Sequence, residues 1–234
     1  MMKKLIACLL AAALLLSFTT ALAAGKVSVT QENFYAISSY SDYGYAFAKV
    51  TNVGNKPVKV NAGVLEIYDG NGDNLTSSDS LRSYAEYLEP DEYTYVYMSA
   101  ELKEGQLEKV DDYLLTITGK SDNDTETKRL TVTDVDFIRN YQINRYSTDD
   151  CGFFTIVNDT DETIWNIQVV YALLDDEGNI LFVENDYLDS NKGLNPGSSV
   201  AIRETINSKF VEYYDAHGIV PTTIDVIAYV NVDK

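Results

Sequence analysis

Cysteine and histidine are scarce in this 234-residue chain, which contains two cysteines and one histidine. Cys8 lies in an N-terminal segment that we expect to be removed, so only Cys151 remains and an internal disulfide is excluded. A zinc site needs several His or Cys ligands, and His217 has no G-x-S-x-G serine with which to act. Paired carboxylates for glycoside hydrolysis stay open, but no acidic pair stands out among so many. The sequence therefore predicts a protein that is not an enzyme.

Positive charge is also scarce, with 18 Lys and Arg against 36 Asp and Glu and a net charge of −18. Loss of Lys3 and Lys4 with the N-terminal segment lowers the 18 basic residues by two and takes the net charge from −18 to −20. This acidity excludes nucleic acid, because affinity for nucleic acid depends on neutralising phosphates. It disfavours anionic membrane surfaces and is compatible with divalent ions, cationic partners or a solvated surface.

Long apolar runs are missing after the first 24 residues, since no later run of 18 apolar residues occurs. The N-terminus carries Lys3 and Lys4, an apolar run over 5–16 and the small-residue stretch 21–24. These are the three parts of a secretory signal peptide. We expect a signal peptide over 1–23, cleaved after Ala23 or, as the alternative, after Ala24. The mature chain is then predicted to lack a membrane span and to be secreted or held in the cell envelope.

An internal repeat with a spacing of 106 residues organises the rest of the chain. Asn52, Asp69, Gly72 and Pro90 recur as the same residue types 106 positions later. Agreement at such residues indicates a shared fold, because turn and backbone geometry require these residue types. The first copy is predicted over 26–119 and the second over 130–234, with a polar linker over 120–129.

Both copies carry the sequence pattern of β-strands. Segments 58–68 and 164–174 are rich in β-branched and aromatic residues, and alternation from Trp165 to Leu173 places these side chains on one core face. The stretches 69–72 and 175–178 are typical of hairpin turns, and 101–110 and 210–215 have a helical pattern. About seven short strands in each copy predict an all-β chain of two tandem immunoglobulin-like β-sandwich domains.

The end of the long strand reads Leu65-Glu66-Ile67-Tyr68-Asp69 in the first copy and Tyr171-Ala172-Leu173-Leu174-Asp175 in the second. With the preceding asparagine, the later glycine and a Leu-x-Pro turn in each copy, it resembles the FxLYD family of small extracellular β-sandwich modules. Leu65 and Tyr171 replace the Phe of that motif, and Leu174 replaces its Tyr. The resemblance implies surface-exposed or secreted modules with no enzymatic activity, whose motif residues are structural.

Alternating oxygen-bearing residues in the two hairpin turns give a weak candidate for calcium. They are Asp69, Asn71 and Asp73 in the first copy and Asp175, Glu177 and Asn179 in the second. A calcium loop of the EF-hand type also requires Gly at its sixth position and Glu at its twelfth, which neither copy has. The same residues are typical of a turn that caps its own backbone. The sequence favours the turn over the metal site.

Tyrosine alternates along one strand of the first copy, at Tyr93, Tyr95 and Tyr97. The intervening Thr94 and Val96 align with apolar residues of the second copy, so we expect them in the core and the three tyrosines facing outward. Exposed aromatic rings are a candidate ligand-binding surface for sugars or proteins. The alternatives are a cross-strand aromatic ladder and packing of one copy on the other.

Export, duplication and the lack of a reactive constellation together predict a non-catalytic scaffold or protein-interaction module. Its partner would be a protein or glycan of the cell envelope. The alternative is a carbohydrate-binding module that uses the tyrosine row, with calcium as an optional cofactor.

Overall fold

Antiparallel β-strands make up nearly all regular structure in the computed structural model, which describes residues 26–83, 85–122, 125–188 and 193–233. The all-β prediction is therefore confirmed. The first copy contains β1 (Val27–Ser38), β2 (Asp42–Asn52), β3 (Val58–Asp69), β4 (Asn74–Ser78), β5 (Leu81–Ser83), β6 (Tyr87–Leu88), β7 (Tyr93–Leu102) and β8 (Val110–Ser121). The second copy contains β9 (Thr125–Asn144), β10 (Ser147–Val157), β11 (Ile167–Leu174), β12 (Ile180–Leu188), β13 (Ser199–Thr205), helix α1 (Ser208–His217) and β14 (Thr223–Asp233).

Two sheets form the first copy. One has the order β1-β2-β7-β5, and the other contains β4, β3 and β6, with β8 also paired to β3. Small and apolar side chains fill the space between the two sheets, including Ala46, Val50 and Met98 from the first sheet and Leu65 and Ile67 from the second. Each of these five side chains is fully buried.

A single long strand joins the two halves of the second copy. The N-terminal part of β9 pairs with β14, in a sheet that continues through β11 to β12. Its C-terminal part pairs with β10, which in turn pairs with β13. Asp134 and Asn140 have positive φ angles of 52° and 51°, and they lie close to shifts in the β9–β10 register. Such bulges bend a strand and let it serve two sheets.

The repeat recurs in the hydrogen bonds as well as in the sequence. Asn52 is fully buried, and its amide donates to the carbonyls of Lys56 and Leu88 over 2.9 and 3.0 Å. Asn158 is equally buried and donates to the carbonyls of Glu162 and Leu194, over 2.8 and 2.7 Å, which lie 106 residues later in each case. The two copies therefore share one local arrangement, in which a buried side-chain amide donates to two backbone carbonyls and is itself satisfied by them.

The outer face of sheet β1-β2-β7-β5 packs on the second copy. The largest cluster of buried side chains includes Tyr35, Phe47 and Tyr95 from the first copy together with Phe182 and Tyr214 from the second. β12 contacts β1, β2 and β7. The apolar core is therefore continuous from one copy to the other.

Two details of the strands differ from the sequence-based expectation. The predicted linker 120–129 is mostly strand, because 120–121 pair with β3 and 125–129 pair with β14. Backbone pairing forms these strands in spite of the polar side chains.

Trp165 lies outside the core, with 49% of its surface exposed. The reason is that β11 begins at Ile167 and the positive φ of Asn166 interrupts the alternation.

Of the two segments with a helical pattern, 210–215 is α-helical and 101–110 is not. α1 confirms the prediction over 210–215, with Asn207 as its N-cap, accepting from the Lys209 amide, and Gly218 as its C-cap at φ 67°. The segment 101–110 forms only a 3-10 turn at Leu107–Lys109. In the described part of the chain, no helix has the length and apolar character needed to cross a membrane. The predicted signal peptide 1–23 lies outside the described residues.

Candidate functional site

Two neighbouring strands of the first copy carry aromatic residues on the face that meets the second copy. In β2, Tyr43, Tyr45 and Phe47 alternate with small residues that enter the core of the first copy. Phe47 pairs with Tyr97, and Tyr45 pairs with Ser99, across the β2–β7 ladder. Because directly paired residues share a face, this alternation gives the sheet one small-residue face and one aromatic face.

A cleft of about 360 Å³ lies where this aromatic face meets β12 and α1. We call it the aromatic cleft. Six rings line it: Tyr43, Tyr45, Phe47, Tyr97, Phe182 and Phe210. The remaining lining residues are Arg82, Ser99, Val183, Glu184, Asn207 and Lys209. Six of the twelve lining residues are therefore aromatic and five are polar or charged, and the volume lies within the range of sites for small ligands.

Three buried phenylalanines from different elements form the floor of the aromatic cleft. Phe47, Phe182 and Phe210 are each at most 3% exposed. The ring centroids are 5.8 Å apart for Phe47 and Phe182, 5.6 Å for Phe47 and Phe210, and 4.9 Å for Phe182 and Phe210. These distances lie within the favourable range for aromatic pairs. The floor is therefore rigid and joins the two copies.

Lys209 places a positive charge against the rings of the aromatic cleft. Its Nζ donates a hydrogen bond of 2.7 Å to the Tyr45 hydroxyl. The same nitrogen lies 4.3 Å from the centroid of the Tyr45 ring and 5.0 Å from that of Phe210. Lys209 follows the Asn207 cap in the first turn of α1. The ring faces attract the ammonium group by a cation–π interaction.

Glu184 adds a carboxylate to the lining of the aromatic cleft. Burial raises the pKa of Glu184, while a hydrogen bond from the Asn185 backbone and the nearby charges of Arg82 and Lys209 act in the other direction. Tyr97 also hydrogen-bonds this carboxylate. The aromatic cleft therefore contains groups of both charge signs beside its rings.

Two further carboxyl groups adjoin Glu184. Burial, together with the charge and hydrogen bond of Asp186 and the charge of Glu184, raises the pKa of Glu204 to about 7. Two carboxyl groups in hydrogen-bond contact disfavour double ionisation, so one proton is retained near neutral pH. Among the residues that the structure describes, no group of three or more His, Cys, Asp or Glu side chains is arranged to hold a metal ion.

The predicted tyrosine row is not an exposed surface. Thr94 and Val96 are buried in the core of the first copy as expected, and the tyrosines do face the other way. That face, however, is covered by the second copy, and Tyr95 is only 2% exposed. This arrangement corresponds to the stated alternative in which one copy packs on the other. The sequence did not decide between the alternatives, because alternation gives the side of a sheet but not what lies against it.

The three tyrosines of that row divide between two places. Tyr97 lines the aromatic cleft. The hydroxyls of Tyr93 and Tyr95 both donate to Oδ2 of Asp225, over 2.8 and 2.7 Å. Burial, followed by this carboxylate, raises the pKa of Tyr93 to about 12 and that of Tyr95 further. Both hydroxyls therefore stay protonated as donors at neutral pH.

The candidate calcium ligands are engaged in turn hydrogen bonds. Oδ1 of Asp69 accepts from the backbone amides of Asn71 and Asp73 over 2.9 and 3.0 Å, and these bonds lower its pKa. In the second copy, Oδ1 of Asp175 accepts from the backbone amides of Glu177 and Asn179 over 3.0 and 2.8 Å. Gly72 and Gly178 both have a φ of 82°, which glycine adopts without steric cost. The arrangement is that of a capped turn in both copies.

Cys151 and His217, the two residues considered as catalytic groups, each pack against neighbouring residues of the fold. Cys151 is fully buried, and burial raises the pKa of its thiol, which makes it a poor nucleophile. His217 stacks on Tyr213 at 4.0 Å and bonds to its carbonyl from Nδ1 over 2.8 Å. The contacts of both residues are therefore those of side chains that stabilise the fold.

Sequence reasoning missed most of the aromatic cleft. Tyr43, Tyr45 and Phe47 in β2 repeat the alternation of the tyrosine row in β7. This second row of alternating aromatic residues is visible in the sequence and indicates a second aromatic strand face. Phe182, Phe210, Glu184 and Lys209 come from the second copy, and no pattern in the sequence indicates that they meet β2. Only the packing of the two copies brings them together.

Comparison with known proteins adds little. No family model matches the chain, and no curated protein matches it. Among solved structures it is similar to red sea bream transglutaminase, with 9% identity over 88% of this chain and 31% of that chain, at a TM-score of 0.21. It is also similar to the C-terminal globular domain of oligosaccharyltransferase from Pyrococcus abyssi, with 9% identity over 90% of this chain and 48% of that one, at a TM-score of 0.21. The chain thus spans less than half the length of each. A similarity at this score indicates neither a shared family nor a shared activity.

Proposed function

We propose that this protein is a non-catalytic, exported scaffold or protein-interaction module. Its two repeat copies would be immunoglobulin-like β-sandwich domains of the FxLYD type, held as one rigid unit in the extracellular space or cell envelope. The predicted signal peptide supports export, and the acidic composition supports a surface that repels nucleic acid and anionic membranes. Partners would be proteins or glycans of the envelope.

The observation that carries this proposal is the aromatic packing between the two copies. Phe47 of the first copy contacts Phe182 and Phe210 of the second, and Tyr95 donates a hydrogen bond to Asp225. Interfaces between domains in one chain are usually small and polar and permit relative motion. A continuous buried aromatic cluster opposes such motion, which is the property that a spacer or presentation module needs.

The alternative is a carbohydrate-binding module that uses the tyrosine row, and this role would require the three rings to be exposed together. Tyr95 is buried against the second copy, and Tyr93 and Tyr97 are partly buried beside it. A ligand could not reach Tyr95 without separating the two copies, so the three rings do not form one continuous platform.

Rigidity can be tested by thermal unfolding and small-angle X-ray scattering of residues 24–234. We expect one cooperative transition and a scattering curve that fits a single arrangement of the copies. Phe182→Ala removes the central ring of the interface and should cost about 3–5 kcal/mol, with a broadened or split transition. Tyr187→Ala, a half-exposed residue on the same strand, is the matched control and should leave the transition single. Two independent transitions in the unaltered protein would contradict the scaffold proposal.

Export is tested separately with the full chain in a secreting host. Mass spectrometry of the extracellular and envelope fractions should find a mature N-terminus at Ala24, or at Gly25 for the alternative cleavage point. Retention of the whole chain in the cytoplasm would contradict the export part of the proposal and leave the rigidity result intact.

A further inference from the structure

The aromatic cleft is open to solvent at a rim of half-buried side chains. Phe47, Phe182 and Phe210 close its floor, whereas Tyr43 and Tyr97 at the rim are only partly buried. Its volume of about 360 Å³ lies at the small end of the range for ligand sites. The occupant that fits is therefore a small molecule or one residue of a chain.

The charged residues that line the aromatic cleft limit the net charge that a ligand can carry. Glu184 lines the cleft together with Arg82 and Lys209, whose positive charges act on its carboxylate. Because these opposite charges compensate one another, a ligand with a net charge would bring an unbalanced charge into the cleft, and burying an unbalanced charge is costly. A neutral ligand with hydrogen-bonding groups avoids this cost.

The mixed lining excludes a purely apolar ligand for a related reason. The polar groups of Ser99, Glu184 and Asn207 border the cleft, and an apolar molecule would remove water from them without replacing its hydrogen bonds. A ligand with hydroxyl groups along its edge can both donate to the carboxylate and accept from the amide.

The rim rings favour a ligand with a flat C–H face. An aromatic face carries negative partial charge, which attracts the slightly positive hydrogens of an aliphatic ring. Tyr43 and Tyr97 line the cleft beside the polar groups, and the Arg82 guanidinium lies 6.0 Å from the centroid of the Tyr97 ring. Pyranose sugars combine a C–H face with an edge of hydroxyl groups and no net charge.

We propose that the aromatic cleft is a binding site for a neutral saccharide, with Tyr43 and Tyr97 contacting the sugar face and Glu184 and Asn207 contacting its hydroxyls. This site is distinct from the tyrosine row predicted by the sequence, because it combines residues of both copies. It is also independent of the scaffold role, which does not require a ligand.

The test uses saturation-transfer NMR and calorimetric titration of residues 24–234. The probes are neutral disaccharides of glucose, galactose and N-acetylglucosamine, with glucuronic acid and glucosamine as charged probes and phenol as a flat aromatic ring with a single hydroxyl. We expect saturable binding of at least one neutral disaccharide below about 10 mM, and at least fivefold weaker binding of both charged probes and of phenol.

Two variants locate the site. Tyr43→Ala removes a rim ring, and Ser99→Phe fills the cleft without deleting a native contact. Each should weaken saccharide binding at least tenfold. Tyr40→Ala is the control, because Tyr40 is fully exposed at the β1–β2 turn and does not line the cleft, and it should bind as the unaltered protein does. Circular dichroism confirms that each variant is folded.

Three results would overturn the proposal. One is failure of every neutral disaccharide to bind the folded protein at that concentration. Another is binding that survives both Tyr43→Ala and Ser99→Phe. The third is a preference for phenol or for a charged probe, which would assign the cleft to an aromatic or ionic ligand. None of these results would affect the single unfolding transition by which the scaffold proposal is judged.

Discussion

Tyr95 and Asp225 are joined by a hydrogen bond of 2.7 Å between residues 130 positions apart in the sequence. The tyrosine is 2% exposed and belongs to the first copy, whereas the aspartate belongs to the second. Tyr93 shares the same carboxylate oxygen. A hydrogen bond from a buried hydroxyl to a carboxyl oxygen is directional and short, so this contact helps to fix the register of one copy on the other.

Loss of the Tyr95 hydroxyl should weaken the whole protein. We expect Tyr95→Phe to lower the free energy of unfolding by about 1–2 kcal/mol, as measured by urea denaturation. Tyr146→Phe removes a hydroxyl from a side chain that is 79% exposed and should change stability by less than about 0.5 kcal/mol. Combined with Asp225→Ala, Tyr95→Phe should show a coupling of about 1 kcal/mol or more. Strict additivity of the two substitutions would refute the contact.

The two buried asparagines should prove equivalent. Asn52→Ala and Asn158→Ala each remove a side-chain amide that donates to two backbone carbonyls, and each should cost about 3 kcal/mol. Asn52→Asp should be at least as harmful, because a carboxylate cannot donate to a carbonyl. Asn74→Ala, at an exposed position in β4, is the control. A large difference between the two copies in chemical denaturation would show that the shared hydrogen bonds do not carry equal weight.

Stability should fall as the pH rises from 4.5 to 7. The folded pKa of Glu204 is raised to about 7 from an ordinary value of 4.5. In this interval the folded state keeps a proton that the unfolded state has lost, so the free energy of unfolding decreases with pH. Solvent screening at this half-exposed side chain limits the loss to roughly 1–2 kcal/mol.

Substitution of Glu204 isolates that effect. Glu204→Gln should flatten the fall between pH 4.5 and 7 and exceed the unaltered protein in stability at pH 8. Glu104→Gln changes an exposed carboxyl in the turn after β7 and should leave the profile unchanged. Thermal unfolding across this pH range measures both. An equal fall in Glu204→Gln and in the unaltered protein would assign the pH dependence to another group.

Calcium should have little effect on stability. The Asp175 carboxylate accepts two backbone amides, and its second oxygen accepts the Asn179 side-chain amide over 2.8 Å. We expect about 2 mM calcium to change the melting temperature by less than 1 °C relative to EDTA. A site with a Kd below about 0.1 mM would raise it by several degrees. A rise of that size, abolished by Asp175→Asn, would restore the metal site.

The duplicated turns illustrate how far local sequence reaches. Asp69 and Gly72, with their counterparts in the second copy, were sufficient to predict a hairpin turn, because the side-chain cap and the positive φ are both local requirements. The N-cap of α1 at Asn207 is equally local. The strand structure of most of the predicted linker 120–129 has the opposite origin, since it depends on partners in β3 and β14 that are distant in sequence.

By itself, the sequence determined the β-strand character, the repeat of 106 residues, the capped turns and the inward position of Thr94 and Val96. Each of these depends on backbone preferences or on the alternation of neighbouring side chains. Only the tertiary structure decided which face of the tyrosine strand is covered and that Phe182, Phe210 and Lys209 complete a cleft with β2. Those outcomes depend on how two separately patterned sheets pack, which is governed by shape and burial between residues more than 100 positions apart.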